Sequence, residues 1–318
     1  MAMRAVSKTV NPGSNPGSPA SPPMVAQSEI YAPDLLARRV VLVTGGGTNL
    51  GREAARELLA AGATVVIAGR REEVLTAAVE QLGGEGPGGG ISQVTGDIRE
   101  GADRERIVTE VVARHGRLDV LVNNAGGQYF VPAEAIADKG WSAVQRLNVG
   151  GTLGMMEAAA EHGFCAVIPG GAPGTPMGTS GGAIVNVTVS PHGGMPAMAH
   201  TGAARAAVEA LGRELAQEWA PRGIAVTSLA VGRFDTESLR KYPDVVTRSV
   251  ARTVPLQRLG TMQEFGWAVV LLASPLGRAL SGGVLTLDGG VDNWHGTWPN
   301  ADSSEEDGTV PTEARATR

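Results

Sequence analysis

Residues Val40 to Arg52 read Val40-Val41-Leu42-Val43-Thr44-Gly45-Gly46-Gly47-Thr48-Asn49-Leu50-Gly51-Arg52: an apolar run, a glycine-rich turn, and the start of a helical pattern. No other stretch restricts the fold as strongly. Glycines there let the backbone turn tightly and approach a pyrophosphate, whose charge rests on the following helix N-terminus. With 45 glycines in 318 residues, a glycine-rich turn alone would carry little weight. The strand before it and the helix after it make the pattern specific. Gly45, Thr48, Asn49, Leu50 and Gly51 are the expected contacts to a dinucleotide.

The same alternation continues to Asp288. Val40–Val43, Thr64–Ala68, Ile91–Thr95, Val120–Val122, Ala183–Val187, Ile224–Leu229 and Val284–Leu287 read as strands. Near-continuous apolar runs suit parallel strands covered on both faces. Helices are expected at Leu50–Ala61, Glu72–Leu82, Ala102–His115, Trp141–His162, Ala203–Ala220 and Gln263–Ala273. The expected fold is α/β, a single Rossmann-type, doubly wound parallel sheet of about seven strands with helices on both faces. Gly83–Gly90 reads as a loop and Gly163–Gly182 as a Gly/Pro-rich insertion, neither of them a domain boundary.

Asn11-Pro12-Gly13-Ser14 repeats at once as Asn15-Pro16-Gly17-Ser18, so residues 1–30 read as a disordered leader, with Met24 an alternative start. Residues 31–299 form the expected folded domain, and 300–318 an acidic, flexible tail. Net charge of −5 argues against nucleic acid as the main partner. No apolar run reaches the roughly 18 residues of a membrane span. The single cysteine, Cys165, fits a reducing cytoplasm and reads as a structural thiol. No Cys/His/Asp cluster has metal-ligand spacing, so no metal is expected.

The second strand ends in Ile67-Ala68-Gly69-Arg70-Arg71, two guanidiniums about 20 residues past the glycine turn with no carboxylate at the strand end. A carboxylate there would take the ribose diol of NAD; planar, permanently charged guanidinium suits a 2′-phosphate. The alternative is a solvated first helical turn, although cations are disfavoured at a helix N-terminus. The expected cofactor is NADP(H).

With these residues, the chain resembles the short-chain dehydrogenase/reductase family over about Val40 to Gly290. The resemblance rests on Thr44-Gly45 through Gly51, Asp97-Ile98, Asn123-Asn124-Ala125-Gly126, Asn148 and Asp288-Gly289-Gly290. It implies that Asp97, with Ile98, holds the adenine, that Asn124, Ala125 and Gly126 line the cofactor cleft, and that Asn148 organises a proton-relay water. Two departures stand out. Asn49 replaces the second family glycine, so its side chain must point away from the phosphates or bond to something nearby. Where the family has Tyr-x-x-x-Lys, this chain has Thr201 and Arg205, and Val189 falls at the usual catalytic serine.

A ketone reduction must deliver a proton to an alkoxide, which a phenol can do and Thr201 cannot near neutral pH. Reduction of an enoyl thioester instead places charge on the thioester oxygen as an enolate, and that needs hydrogen-bond donors aimed at the oxygen. Asn123–Tyr129, Pro132-Ala133-Glu134, Lys139-Gly140-Trp141 and His200-Thr201-Gly202-Ala203-Ala204-Arg205-Ala206 are similar to the peroxisomal trans-2-enoyl-CoA reductase and 2,4-dienoyl-CoA reductase branch. The insertion at Gly163–Gly182 and Val231, where Pro is usual, depart from it. The chain ends Ala316-Thr317-Arg318, which is no peroxisomal signal.

The expected function is therefore an NADPH-dependent reductase of an α,β-unsaturated acyl thioester. The alternatives are a carbonyl reductase or alcohol dehydrogenase of the same family, or a nucleotide-binding regulator that has lost catalysis. His200 is read as an enolate donor or a loop residue of no catalytic part, and Tyr129 as a substrate contact or packing. Arg205 would place the nicotinamide ribose without titrating, and His192 reads as a loop residue. Trp294 and Trp298 follow the last strand, where aromatics seal a subunit contact or a substrate cleft. A homo-oligomer, tetramer or dimer, is expected.

Overall fold

Seven parallel strands lie in the order β3-β2-β1-β4-β5-β6-β7. They are β1 (Val40–Thr44), β2 (Thr64–Gly69), β3 (Ile91–Thr95), β4 (Val120–Asn123), β5 (Gly182–Val189), β6 (Ile224–Val231) and β7 (Val284–Leu287). The computed structural model describes residues 28–83, 90–164, 181–190, 192–194, 196–237, 239–241 and 249–293. The leader up to residue 27 with Met24, most of the Gly83–Gly90 and Gly163–Gly182 loops, Cys165, Trp294, Trp298 and the tail lie outside the described residues.

Every residue of β1, β4 and β6 is buried, as their mainly aliphatic and β-branched runs require. Alternate side chains point to opposite faces and build two cores. On one face Val41, Val43, Val65 and Ile67 meet α1 (Asn49–Ala60) and α2 (Glu72–Gln81), with Phe265 and Val269 of a late helix completing the layer. On the other, Leu42, Val66 and Leu121 meet α3 (Gly101–His115) and Met155 and Met156 of the helix that follows β4, with Ala216 of the next helix. The doubly wound sheet expected from the sequence is the one observed.

The helices differ from expectation in two places. The stretch read as one helix over 141–162 begins earlier and is broken by two π-type turns. It consists of α4 (Asp138–Gln145), a turn at Arg146–Gly151, α5 (Thr152–Ala158) and a second turn at Ala159–Gly163. Close packing shapes the first turn: a Cβ on Gly151 would lie 2.9 Å from the Ile98 side chain. Helix α6 runs Ala199–Glu218, four residues longer at its start than the apolar pattern from Ala203 suggests. Gly202 is an open surface position, with nothing within 4 Å of a Cβ there, so it does not end the helix.

Helix α7 (Met262–Ala273) starts with a reciprocal cap. The Glu264 amide donates to Thr261 Oγ1 at 3.1 Å, and the Thr261 amide to Glu264 Oε2 at 2.8 Å. A hydrogen bond from Arg258 holds the Glu264 carboxyl down at about 2, with the Thr261 bonds adding to it. The cap therefore contributes fully above the ordinary carboxylate range and is lost only as pH falls towards about 2. Thr261→Ala should lower the unfolding free energy by about 1 kcal/mol in urea titrations at pH 7, and Thr261→Ser should leave it nearly unchanged.

Candidate functional site

The strand order reverses direction between β1 and β4, where a ligand crevice opens beyond the carboxyl ends of the strands. Side chains bind the two strand ends together. Thr44 Oγ1 accepts from the Asn124 and Ala125 amides at 3.1 Å each and donates to the Val122 carbonyl. Asn124 Nδ2 donates back to the Thr44 and Gly45 carbonyls, at 3.0 and 3.2 Å. Gly45 has φ +66°, and a Cβ on Gly51 would sit 2.3 Å from the Gly45 carbonyl oxygen. Only glycine at both positions permits this turn. Thr48, at the N-cap of α1, forms no side-chain cap, so the first amides of the helix face the crevice uncapped.

A cleft of about 520 Å³ opens there. Its wall includes Gly45, Thr48, Asn49, Leu50, Gly51, Arg70, Arg71, Asp97, Ile98, Asn124, Ala125 and Gly126, so every expected nucleotide contact except Arg205 meets in one place. Gln128, from the Asn123–Tyr129 stretch, also lines it, as do Leu147 and Thr236, which carried no motif in the sequence. Arg70 and Arg71 are exposed and form no hydrogen bond or ion pair with another described residue. Asp97 is less free than the resemblance implied. Arg99 grips its carboxylate in a two-pronged fork, which holds the carboxyl below the usual range with help from Arg70. Asn49 has φ +45° and its Oδ1 accepts from the Glu237 amide at 3.1 Å. It bonds to a neighbouring segment, one of the two outcomes its sequence position allowed.

The expected catalytic residues lie beyond the Gly126 end of this cleft. Asn148 is fully buried in the first π-type turn. Its Oδ1 accepts from the Gly127 amide at 3.1 Å, and its Nδ2 donates to the Gly127 and Val144 carbonyls at 2.8 and 3.0 Å. Both amide hydrogens are occupied, so Asn148 here fastens the loop after β4, and only a remaining Oδ1 lone pair is open to a water. Arg205 donates to the Val187 carbonyl at 3.0 Å, and its guanidinium lies against Gly126, where a Cβ would be 2.4 Å from it. Arg205 is partly exposed, yet its Nε is sealed from solvent, and burial lowers its pKa to about 10. It remains a cation at neutral pH.

His200 and Thr201 are not loop residues. Both lie in the first turn of α6 and are wholly buried. Neither ring nitrogen of His200, nor Thr201 Oγ1, has a hydrogen-bond partner among the described residues. Buried polar atoms left without partners cost about 1–3 kcal/mol each, so three in two adjacent residues are a costly feature of the start of α6. Tyr129 stands edge-on to the His200 ring, with centroids 4.4 Å apart, and its hydroxyl covers Gly140. It packs and remains exposed at the same time.

A second polar cluster, around His192, is joined to α6 through Glu209. His192 bonds through Nδ1 to Asp292 at 2.6 Å and through Nε2 to Glu209 at 3.0 Å. Glu209 is buried and also accepts from Thr188 Oγ1 at 2.6 Å. Ser190, beside the Val189 position, donates to Asp288 instead of facing the cleft wall. One signal was available. Glu209 follows Thr201 and Arg205 along the buried face of α6, and a carboxylate there needs a partner.

Comparison with known proteins follows the same lines. Residues 46–292 match the family model described as Enoyl-(Acyl carrier protein) reductase. The chain is 34% identical over 280 residues to a peroxisomal 2,4-dienoyl-CoA reductase of Pongo abelii, covering 86% of this chain and 90% of that one. It is 32% identical over 268 residues to the peroxisomal 2,4-dienoyl-CoA reductase of Danio rerio, covering 83% and 85% respectively. Among solved structures it is similar to the citronellol catabolism dehydrogenase of Pseudomonas aeruginosa, at 33% identity and a TM-score of 0.70, over 84% of this chain and 100% of that one.

The His192 bridge makes stability depend on pH. Burial opposes its protonation, but the hydrogen bonds its ring nitrogens donate to Asp292 and Glu209 outweigh that and raise its pKa above the ordinary 6.5. Stabilisation is therefore complete below 6.5 and fades as pH rises through the raised value. The gap in Tm between wild type and His192→Gln should be wider at pH 6 than at pH 9; an equal gap would contradict a charged bridge.

Proposed function

The chain belongs to the short-chain dehydrogenase/reductase family, and on that premise we propose that it reduces an α,β-unsaturated acyl thioester with NADPH. One observation carries the reading: where a phenol acid is usual in the family, the chain has a buried Thr201 beside a buried, unpartnered His200. A threonine hydroxyl is no acid near neutral pH, so protonation of an alkoxide lacks its usual source. Reduction at carbon makes another demand. Hydride reaches the β-carbon, charge collects on the thioester oxygen, and donors must face that oxygen. This reading assigns that part to the His200 imidazole, which has no partner among the described residues and packs edge-on against Tyr129.

The residues present fit a dinucleotide. The glycine turn leaves room that a Cβ would fill, the α1 amides are uncapped, and neither the Arg70 nor the Arg71 side chain forms a salt bridge or hydrogen bond with a described residue. Bound there, NADPH supplies the hydride. Arg70 and Arg71 would hold the 2′-phosphate. Arg205, fixed to the Val187 carbonyl and charged at neutral pH, would place the nicotinamide ribose. Relatives named as 2,4-dienoyl-CoA reductases support an acyl-CoA substrate, and the similar citronellol catabolism dehydrogenase keeps carbonyl chemistry as the competing reading. The same reading takes residues 31–299 as one catalytic domain acting as a homo-oligomer in the cytoplasm.

Arg70→Asp combined with Arg71→Ala should weaken NADPH binding by well over tenfold and change NADH binding little, because a charge-assisted phosphate bond contributes about 1.5–3 kcal/mol. Equal losses for both nucleotides would remove the phosphate assignment. For the chemistry, NADPH oxidation should be compared with crotonyl-CoA, 2,4-hexadienoyl-CoA and acetoacetyl-CoA. The unsaturated thioesters should be reduced faster, His200→Gln should lower turnover by roughly tenfold or more, and Thr201→Tyr should not raise it. Faster reduction of acetoacetyl-CoA, or a marked gain with Thr201→Tyr, would mean a damaged ketoreductase instead.

A further inference from the structure

Asn49 occupies a backbone position that most residues avoid. Its φ of +45° falls on the left-handed side, where glycine pays no steric cost and asparagine is among the few side chains tolerated. What the side chain does there is visible: Oδ1 accepts from the amide of Glu237, a residue 188 positions later in the chain. The Glu237 carboxylate in turn pairs with Arg52 on the first turns of α1, and Arg52 also donates to Gln81 Oε1 of α2 at 3.1 Å.

These contacts lie at the wall of the nucleotide cleft: Asn49 and Thr236 both line it, and Glu237 follows Thr236. Just upstream, Asp235 is pinned by its amide to the Gly260 carbonyl at 2.9 Å, and Phe234 pairs with Gly260. The segment from Phe234 to Glu237 is thus held at one end by the loop before α7 and at the other by the start of α1. Its two bonds at α1 come from the residues that begin the phosphate-binding helix.

We propose that Asn49 and Glu237, with Arg52, form a clasp that sets how long the nucleotide stays in the cleft. Asn49 is then a positioning residue for retention of the cofactor, with no part in the chemical step. This rests on the reading that the cleft holds a dinucleotide. The bond from Asn49 is short-range and resists salt. The Arg52–Glu237 pair is half exposed, so salt weakens it.

The test uses the full chain and stopped-flow displacement of bound NADPH, with Tm measured in parallel. Asn49→Gly should raise the dissociation rate constant roughly three- to tenfold, the loss of one net hydrogen bond, while Tm stays level or rises as the backbone strain is relieved. Arg52→Gln should raise it about twofold at low salt and hardly at all in 0.5 M salt, as expected of an exposed pair. The double variant should fall short of the product of the two single effects, because both act on one fastening. An unchanged dissociation rate in Asn49→Gly, or fully multiplicative effects, overturns the clasp alone. Wild-type protein that binds neither NADPH nor NADH overturns the cofactor reading together with the clasp.

Discussion

The stitch between Thr44 and Asn124 is the constraint on which the site depends. Three hydrogen bonds from the hydroxyl and two from the carboxamide join the ends of β1 and β4 at the point where the chain reverses its course through the sheet. The glycine turn is shaped around it, because a Cβ on Gly51 would meet not only the Gly45 carbonyl but also Asn124 Nδ2 at 2.5 Å. Strand ends, turn and helix start are therefore one rigid unit. Loosening any of the three would misplace both the phosphate side of the cleft and the loop at Gly126 that leads to Arg205.

The strands were legible to within one or two residues because a parallel strand buried on both faces leaves a mainly apolar run, as in β1 and, around Thr227-Ser228, in β6. The twelve expected cleft-wall residues were legible for a related reason: short motifs at strand ends carry their own geometry. Features formed by distant side chains were hidden. His192 meets Asp292 a hundred positions away, and Asn49 meets Glu237 at nearly twice that separation. The π-type turn at Asn148 was hidden too, since no residue type signals it and its cause lies in the packing of Gly151 on Ile98 and the clamp on Gly127. The early start of α6 was missed because Gly202 reads as punctuation when seen without its surroundings.

Around α6 the chain makes an exchange. A lysine next to a phenol would lower the phenol's pKa, whereas Arg205 stays charged and anchors to a strand carbonyl. The face that begins with His200 and Thr201 continues to Glu209, so one helix carries unpartnered polar atoms at its start and, two turns later, a buried carboxylate whose Oε1 accepts from Thr188 and bonds His192. The Glu209 end thereby ties α6 to the β5 terminus and to the loop after it.

The contact between Gly126 and Arg205 also limits how such a chain can evolve. The guanidinium occupies the space that a methyl group on residue 126 would need, and the Asn148 carboxamide closes the other side at 2.8 Å. With both side chains as they stand, only glycine fits at 126, and any larger residue there needs the Arg205 guanidinium and the Asn148 carboxamide to give way together.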